Sequence, residues 1–333
     1  MRRRHVLVTG GAGFIGSNIV AELAADGSLD VAVCDRLRDA SLGKWRNLAK
    51  HAIADFVLPE DLQNWLATRG SDVEAVIHMG AISSTSEPDA DKIIATNFAL
   101  SRDLYDWCAH NARRFIWASS AATYGDGAAG FDDDPALSAL AALRPLNAYG
   151  WSKALFDHYA AREAGRGRAP PQHAGLKFFN VYGPNEGHKG AMRSVVAKIW
   201  PDVAAGRPVK LFKSYRDGVA DGAQKRDFIY VRDAAKVVAW LFHRGDVNGL
   251  FNLGSGQARG FIDLASAVFH AAGQTLRVEY VDMPPELRAQ YQYFTQARME
   301  RLRAAGYEAS FASLEEGVAD YVTGFLATAD PYR

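Results

Sequence analysis

Tyr149 and Lys153 stand four residues apart in Tyr149-Gly150-Trp151-Ser152-Lys153. On a helix that spacing puts both side chains on one face, one turn apart. A phenol with a free pKa of about 10 is a poor base at neutral pH, but a neighbouring ammonium favours the phenolate. The pair could then take the proton of a substrate hydroxyl while hydride leaves the same carbon. Upstream lies Ser119-Ser120-Ala121-Ala122-Thr123-Tyr124-Gly125, which follows an apolar run. From there Ser120 could donate a hydrogen bond to the reacting oxygen.

Hydride chemistry needs an acceptor, and the start of the chain offers a place for one. Gly10-Gly11-Ala12-Gly13-Phe14-Ile15-Gly16 fits both G-x-G-x-x-G and G-x-x-G-x-x-G. Gly10, Gly13 and Gly16 would serve a tight strand-to-helix turn, close approach of backbone to a pyrophosphate, and close helix–strand packing. Asp35 ends a second apolar run, where an acid accepts from an adenosine ribose hydroxyl, as for NAD. Arg36, Arg38 and Lys44 follow closely, and cationic side chains there suit a 2′-phosphate. NADP is the expected cofactor and NAD stays open. Asp55 is the candidate for the adenine edge.

The elements that must position these groups alternate in type. Residues 5–9, 30–34, 74–78 and 114–118 read as strands, while 16–25 and 92–110 have helical spacing of apolar residues. Such alternation builds a Rossmann-type doubly wound parallel sheet, an α/β fold, over residues 1–180. Residues 228–231 and 250–253 also read as strands, so the chain is expected to rejoin that domain over about 228–260. Residues 181–227 and 261–333 are left as a smaller mixed α/β substrate lobe. Residues 166–173 and 215–224 read as polar surface loops.

Composition sets the outer bounds. The 333 residues are 48% hydrophobic, and 38 basic side chains balance 38 acidic ones. A zero balance gives no reason to expect nucleic acid or an anionic membrane as partner, which leaves a small molecule. Cys34 and Cys108, the only cysteines, have no metal or redox spacing; no metal is expected, and a reducing cytoplasm fits. Met1-Arg2-Arg3-Arg4 opens the chain, but the apolar run behind it is broken by Gly10, Gly11 and Gly13, so it reads as a strand entering a turn rather than a signal peptide. No run of about 18 apolar residues indicates a membrane span. The seven tryptophans read as core or lobe packing.

With these motifs the whole chain resembles the extended short-chain dehydrogenase/reductases, which include nucleotide-sugar epimerases, dehydratases and reductases. In the dehydratases an acid pair stands where this chain has Ala121 and Ala122, which can transfer no proton. A further set of residues is similar to one subfamily, the ADP-glyceromanno-heptose 6-epimerases. It comprises Gly80-Ala81 with Ser83-Ser84-Thr85, the stretch Phe179-Asn-Val-Tyr-Gly-Pro-Asn-Glu-Gly-His-Lys-Gly190 with Met192, Arg226-Asp-Phe-Ile-Tyr-Val231 and Tyr291-Gln-Tyr-Phe-Thr-Gln296.

That resemblance implies oxidation of heptose carbon 6 to a ketone and return of hydride on the opposite face, in lipopolysaccharide core heptose synthesis. It makes Lys189 a second base opposite Tyr149. It places Phe14, Ile15, Asp35, Arg36, Lys44, Met79, Gly80, Ala81, Ser83, Asn97, Lys153 and Val181 at the cofactor. It places Ser120, Asn180, Ala191, Lys198, Phe212, Arg226 and Tyr291 at an ADP-heptose substrate. Arg226 suits a diphosphate, the alternative being a surface ion pair with Asp227. His188 is implied as a structural neighbour, and His78, at a strand end, as lining the cofactor pocket. Ala191, Lys198 and Met79 depart from the residues common there. A homo-oligomer, such as a pentamer, is also implied. Two readings stay beside this one: a UDP-hexose 4-epimerase or nucleotide-sugar reductase, and a silent NADP-binding regulator.

Overall fold

The computed structural model describes residues 4–85, 87–288 and 291–333; Met1, Arg2 and Arg3 lie outside them. Among the described residues twelve strands form in chain order: β1 Arg4–Thr9, β2 Leu29–Cys34, β3 Asp55–Val57, β4 Val73–His78, β5 Arg114–Ser120, β6 His173–Phe178, β7 Asn180–Tyr182, β8 Val209–Phe212, β9 Lys225–Tyr230, β10 Gly249–Leu253, β11 Ala258–Gly260 and β12 Val278–Val281. Seven of them build one sheet in the order β10-β6-β5-β4-β1-β2-β3. Every pairing in it is parallel. This is the doubly wound sheet that the strand–helix alternation implied.

The segment 250–253 rejoins the main sheet as β10, beside β6. The segment 228–231 does not. Phe228 to Tyr230 belong to β9, which pairs with β7 and β11 in a three-stranded sheet, and Val231 opens a helix to Arg244. β8 and β12 form a separate two-stranded pair.

Both faces of the large sheet are covered, so its strands carry near-continuous apolar runs. Val6, Val8, Val31, Val33 and Ile77 pack on one face against the helices Phe14–Ala24 and Val231–Arg244. Leu7, Val76, Phe115 and Trp117 pack on the other against Leu62–Arg69, Leu100–His110 and Ala148–Gly165. A second core around Val196, Val209, Leu264, Val268 and Val318 holds the remaining lobe, and Phe14 reaches into it. Trp117 is buried, but Trp45 and Trp151 are about half exposed, so not all seven tryptophans are packing residues. Cys34 and Cys108 are free and buried, and burial pushes the Cys34 thiol up to about 12. Among the described residues no helix is long and apolar enough to cross a membrane.

The helix Ala148–Gly165 is held to the sheet by rings. Phe156 is buried between Trp117 (centroids 5.6 Å), Tyr105 (6.0 Å) and Phe115 (6.2 Å), all at steep angles. Edge-to-face contacts of this kind add to the area that the ring buries. Phe156→Ala is expected to lower the unfolding free energy by about 3–5 kcal/mol, read from the midpoint of a chemical denaturation curve.

Candidate active site

The sheet reverses its winding between β1 and β4, so the loops that follow these strands leave toward opposite faces and open a crevice at their carboxyl ends. A cleft of ≈ 600 Å³ lies there. The glycine turn forms its floor. Gly10 has φ +66°, and a Cβ on it would stand 2.7 Å from the Gly80 backbone. A Cβ on Gly16 would stand 2.1 Å from the Gly10 carbonyl oxygen. These contacts let two loops and a helix start converge with bare backbone. The helix from Phe14 has no side-chain cap at Gly13 and no acid in its first turn. Its free N–H groups, with Gly13, Phe14, Ile15 and Gly16 lining the cleft, can receive a diphosphate.

Asp35 and Lys44 line the same end. The Asp35 carboxylate accepts from the Ala12 and Arg36 N–H groups (2.9 and 2.7 Å) and from the Lys44 ammonium (2.6 Å). Met79, Gly80, Ala81 and Ser83 line the opposite wall, and Val181 the far side. The residues thus fit a dinucleotide: a cradle only glycine can form, unpaired amides, and an acid with a lysine beside it.

Three residues expected at the cofactor do not line this cleft. Arg36 is exposed and pairs with Glu60 (2.9 Å). Asp55 opens β3, whereas the cleft forms at the carboxyl ends of the strands; its carboxylate accepts from the Trp65 indole (2.7 Å). Asn97 is fully buried in a π-helical turn, Ile94–Ala99. Its amide exchanges hydrogen bonds with the Ile82 backbone (2.8 and 3.0 Å) and donates to Ser152 (3.1 Å). It therefore braces the Gly80–Ser83 loop from behind. His78 is likewise fully buried and does not line the cleft. It bridges Thr9 (2.6 Å) and Ser101 (2.8 Å), and burial pushes its pKa down to about 3.

Ser120, Tyr149 and Lys153 meet in the middle of the cleft. Asn147 caps the helix that carries the last two, accepting from the Gly150 N–H (2.8 Å). A Cβ on Gly150 would stand 2.7 Å from the Ala122 carbonyl oxygen, so glycine lets this helix start press against the turn after β5. Lys153 donates to the Ala118 carbonyl (2.8 Å), and burial lowers its ammonium to about 8. In the protein alone the Tyr149 phenol is held above its ordinary value, because burial outweighs the hydrogen bond from Ser120.

Across the cleft a 3-10 turn, Gly187–Met192, presents Lys189 over the Phe14 ring (5.0 Å). Burial lowers its ammonium, with Lys198 adding to the effect and Glu186 opposing it. Lowering of this kind brings a lysine closer to proton exchange than a solvated one. Asn180, Ala191 and Lys198 line the same side. His188 also lines it, held at 3.2 Å from Asn47.

Phe212, Arg226 and Tyr291 form their own cluster beside the cleft rather than in its wall. The Tyr291 ring meets Phe212 edge-on (6.3 Å) and lies under the Arg226 guanidinium (5.2 Å), which also sits over Phe261 (5.7 Å). Phe261 and Phe228 do line the cleft, so the cluster is one ring removed. Asp227 does not pair with Arg226. It accepts from the N–H groups of Ser255, Gly256 and Ala297 (2.6, 3.0 and 2.9 Å). Arg226 is 8% exposed and, among the described residues, has no carboxylate partner, its guanidinium donating to the Lys225 carbonyl (2.9 Å); burial lowers its pKa.

Arg193, Phe261 and Leu264 also line the cleft and had no motif to mark them. Phe228, another lining residue, lies within the 226–231 motif, and period-two placement puts it on the same side of β9 as Arg226.

The model of the NAD dependent epimerase/dehydratase family matches residues 6–254. An ADP-L-glycero-D-manno-heptose-6-epimerase from Nitratidesulfovibrio vulgaris is 48% identical over 329 residues, covering 98% of this chain and 99% of the relative. The structure of a Helicobacter pylori protein of the same name superposes with a TM-score of 0.78 at 26% identity, over 97% of this chain and 96% of that one. A Thermus thermophilus UDP-glucose 4-epimerase in complex with NAD gives 0.74 at 28%, over 95% and 96%.

Gly16→Val would drive a side chain into the Gly10 carbonyl. Loss of dinucleotide binding by at least about tenfold is expected, measured by quenching of intrinsic fluorescence, with the fold retained by circular dichroism.

Proposed function

The chain belongs to the NAD dependent epimerase/dehydratase family, and from that premise we propose that it interconverts ADP-D-glycero- and ADP-L-glycero-D-manno-heptose in the supply of heptose for lipopolysaccharide core. The observation that carries this reading is Lys189 in the same cleft as Tyr149 and Lys153, in a chain 48% identical over nearly its whole length to a heptose 6-epimerase.

Inversion at carbon 6 through a ketone requires a proton to leave the hydroxyl and to return after the sugar has turned. A proton-transfer group is needed for each orientation. We assign these roles to Tyr149 and Lys189, Ser120 donating to the reacting oxygen. A nicotinamide dinucleotide, when bound, supplies the hydride acceptor and donor and a positive charge beside the phenol. Lys153 would hold its ribose, and the glycine turn its diphosphate. Asn180, Ala191 and Lys198 would face the sugar nucleotide. Arg226, backed by Phe212 and Tyr291 and without a carboxylate partner among the described residues, offers its guanidinium for the diphosphate. Asp55 and Asn97 are given no direct contact.

Lys44 supports NADP over NAD: its ammonium stands at the Asp35 carboxylate, neutralising it and presenting charge to a 2′-phosphate. A cytoplasmic homo-oligomer is the setting we infer, checked for its assembly by light scattering.

Incubation with ADP-D-glycero-D-manno-heptose should show conversion at carbon 6 by NMR. Tyr149→Phe combined with Lys189→Met should abolish it and leave the dinucleotide bound. Continued equilibration by the double variant would sink the two-base assignment, and turnover of UDP-glucose in place of ADP-heptose would sink the substrate. Lys44→Met should weaken NADP by about tenfold and NAD far less, by titration calorimetry. Equal losses for both would reject the 2′-phosphate contact.

A further inference from the structure

Behind the cleft lies a second layer of charge that the proposed reaction does not use. Asp157 is on the helix of Tyr149 and Lys153, one turn beyond Lys153, so the three side chains share a face. Its carboxylate pairs with the Lys177 ammonium of β6 at 2.8 Å, and both side chains are fully buried. The same carboxylate accepts from the Ser119 hydroxyl (2.6 Å) and the Trp117 indole (3.1 Å), both on β5. Lys177 donates onward to the Thr123 hydroxyl (2.7 Å), which donates to the Ser120 carbonyl (2.8 Å). The network therefore starts on the helix of Tyr149 and ends on the backbone of Ser120.

A fully buried ion pair is a poor source of stability, because desolvation of both charges offsets their attraction. This one has its hydrogen-bonding capacity directed at the strand end that the site uses. We propose that Asp157 and Lys177 act as positioning residues for the reaction, tying the helix of Tyr149 and Lys153 to the strand end of Ser120 and keeping a negative charge behind the Lys153 ammonium. Lys177 is its counter-charge. The other groups facing Lys153 are the Ala118 carbonyl, the neutral His78 ring and Tyr149 itself, so Asp157 supplies the carboxylate. Its field raises both Lys153 and Tyr149.

The proposal rests on the assigned roles of Tyr149, Lys153 and Ser120, so its test is independent of which sugar is turned over. Dinucleotide affinity is measured against pH. In the unmodified protein it should fall as Lys153 loses its proton, near pH 8. Asp157→Asn together with Lys177→Met removes the pair without leaving a lone buried charge. In this variant the fall should move about one unit to lower pH, the expected size for a lost neighbouring charge. Affinity at pH 6, where Lys153 is charged in both proteins, should agree within about threefold. With a turned-over substrate, both limbs of the kcat profile should move the same way, because Asp157 is the member of the pair whose charge raises Tyr149 and Lys153. Lys177→Arg alone, which keeps charge and donors, should retain the original pH dependence. The same pH dependence in the paired variant and the unmodified protein would overturn the proposal.

Should the paired variant fail to fold, Ser119→Ala decides. It removes one tie between helix and strand end, and should lower kcat about threefold or more at unchanged KM; an unchanged kcat would overturn the proposal. Failure of ADP-heptose to turn over would count against the substrate assignment alone, since the binding profile is read without it.

Discussion

Everything in the cleft depends on the reversal of winding between β1 and β4. A parallel strand pair whose following loops part to opposite faces leaves a gap that no side chain needs to fill, and backbone lines it. Here the gap is narrow, with Gly10 against Gly80 and Gly16 against Gly10. The free amides of the helix from Phe14 are thereby aimed at one place. Placement of Asp35 at the end of β2 and Ser120 at the end of β5 follows from the same geometry, since carboxyl ends of neighbouring parallel strands lie side by side.

A chain of zero formal charge nevertheless builds a cationic cleft. Lys44, Lys153, Lys189 and Lys198 line it, and Asp35 is the one acid among the cleft-lining groups described. Such segregation is costly without anions, and the cost is visible: burial lowers Lys153 and Lys189, and Arg226 is nearly buried with no carboxylate beside it. Bound diphosphates would relieve it.

A second layer holds the first in place. Asn97 secures the loop of Gly80 to the helix of Tyr149 through Ser152. His78 joins the end of β1 to the helix behind β4. Asp157 and Lys177 join that same Tyr149 helix to β5 and β6. These groups are polar, buried and satisfied, which makes them rigid. Precision of this kind is needed where proton transfer requires heavy atoms within hydrogen-bond reach.

Contiguous or periodic features were legible in the sequence. The glycine turn, the four-residue spacing of Tyr149 and Lys153, the alternation that builds the sheet and the stretch around Lys189 are all local, so they survive without knowledge of which strands become neighbours. Tertiary structure alone decided the rest. Asp55 falls at the start of a strand rather than its end, Asn97 acts from behind the loop it was expected to share with the cofactor, and Arg226 stands one ring outside the cleft. Asp157 finds Lys177 only because β6 lies beside β5. Each of these depends on strand order and on which face a side chain takes, and a linear sequence carries neither until the sheet has formed.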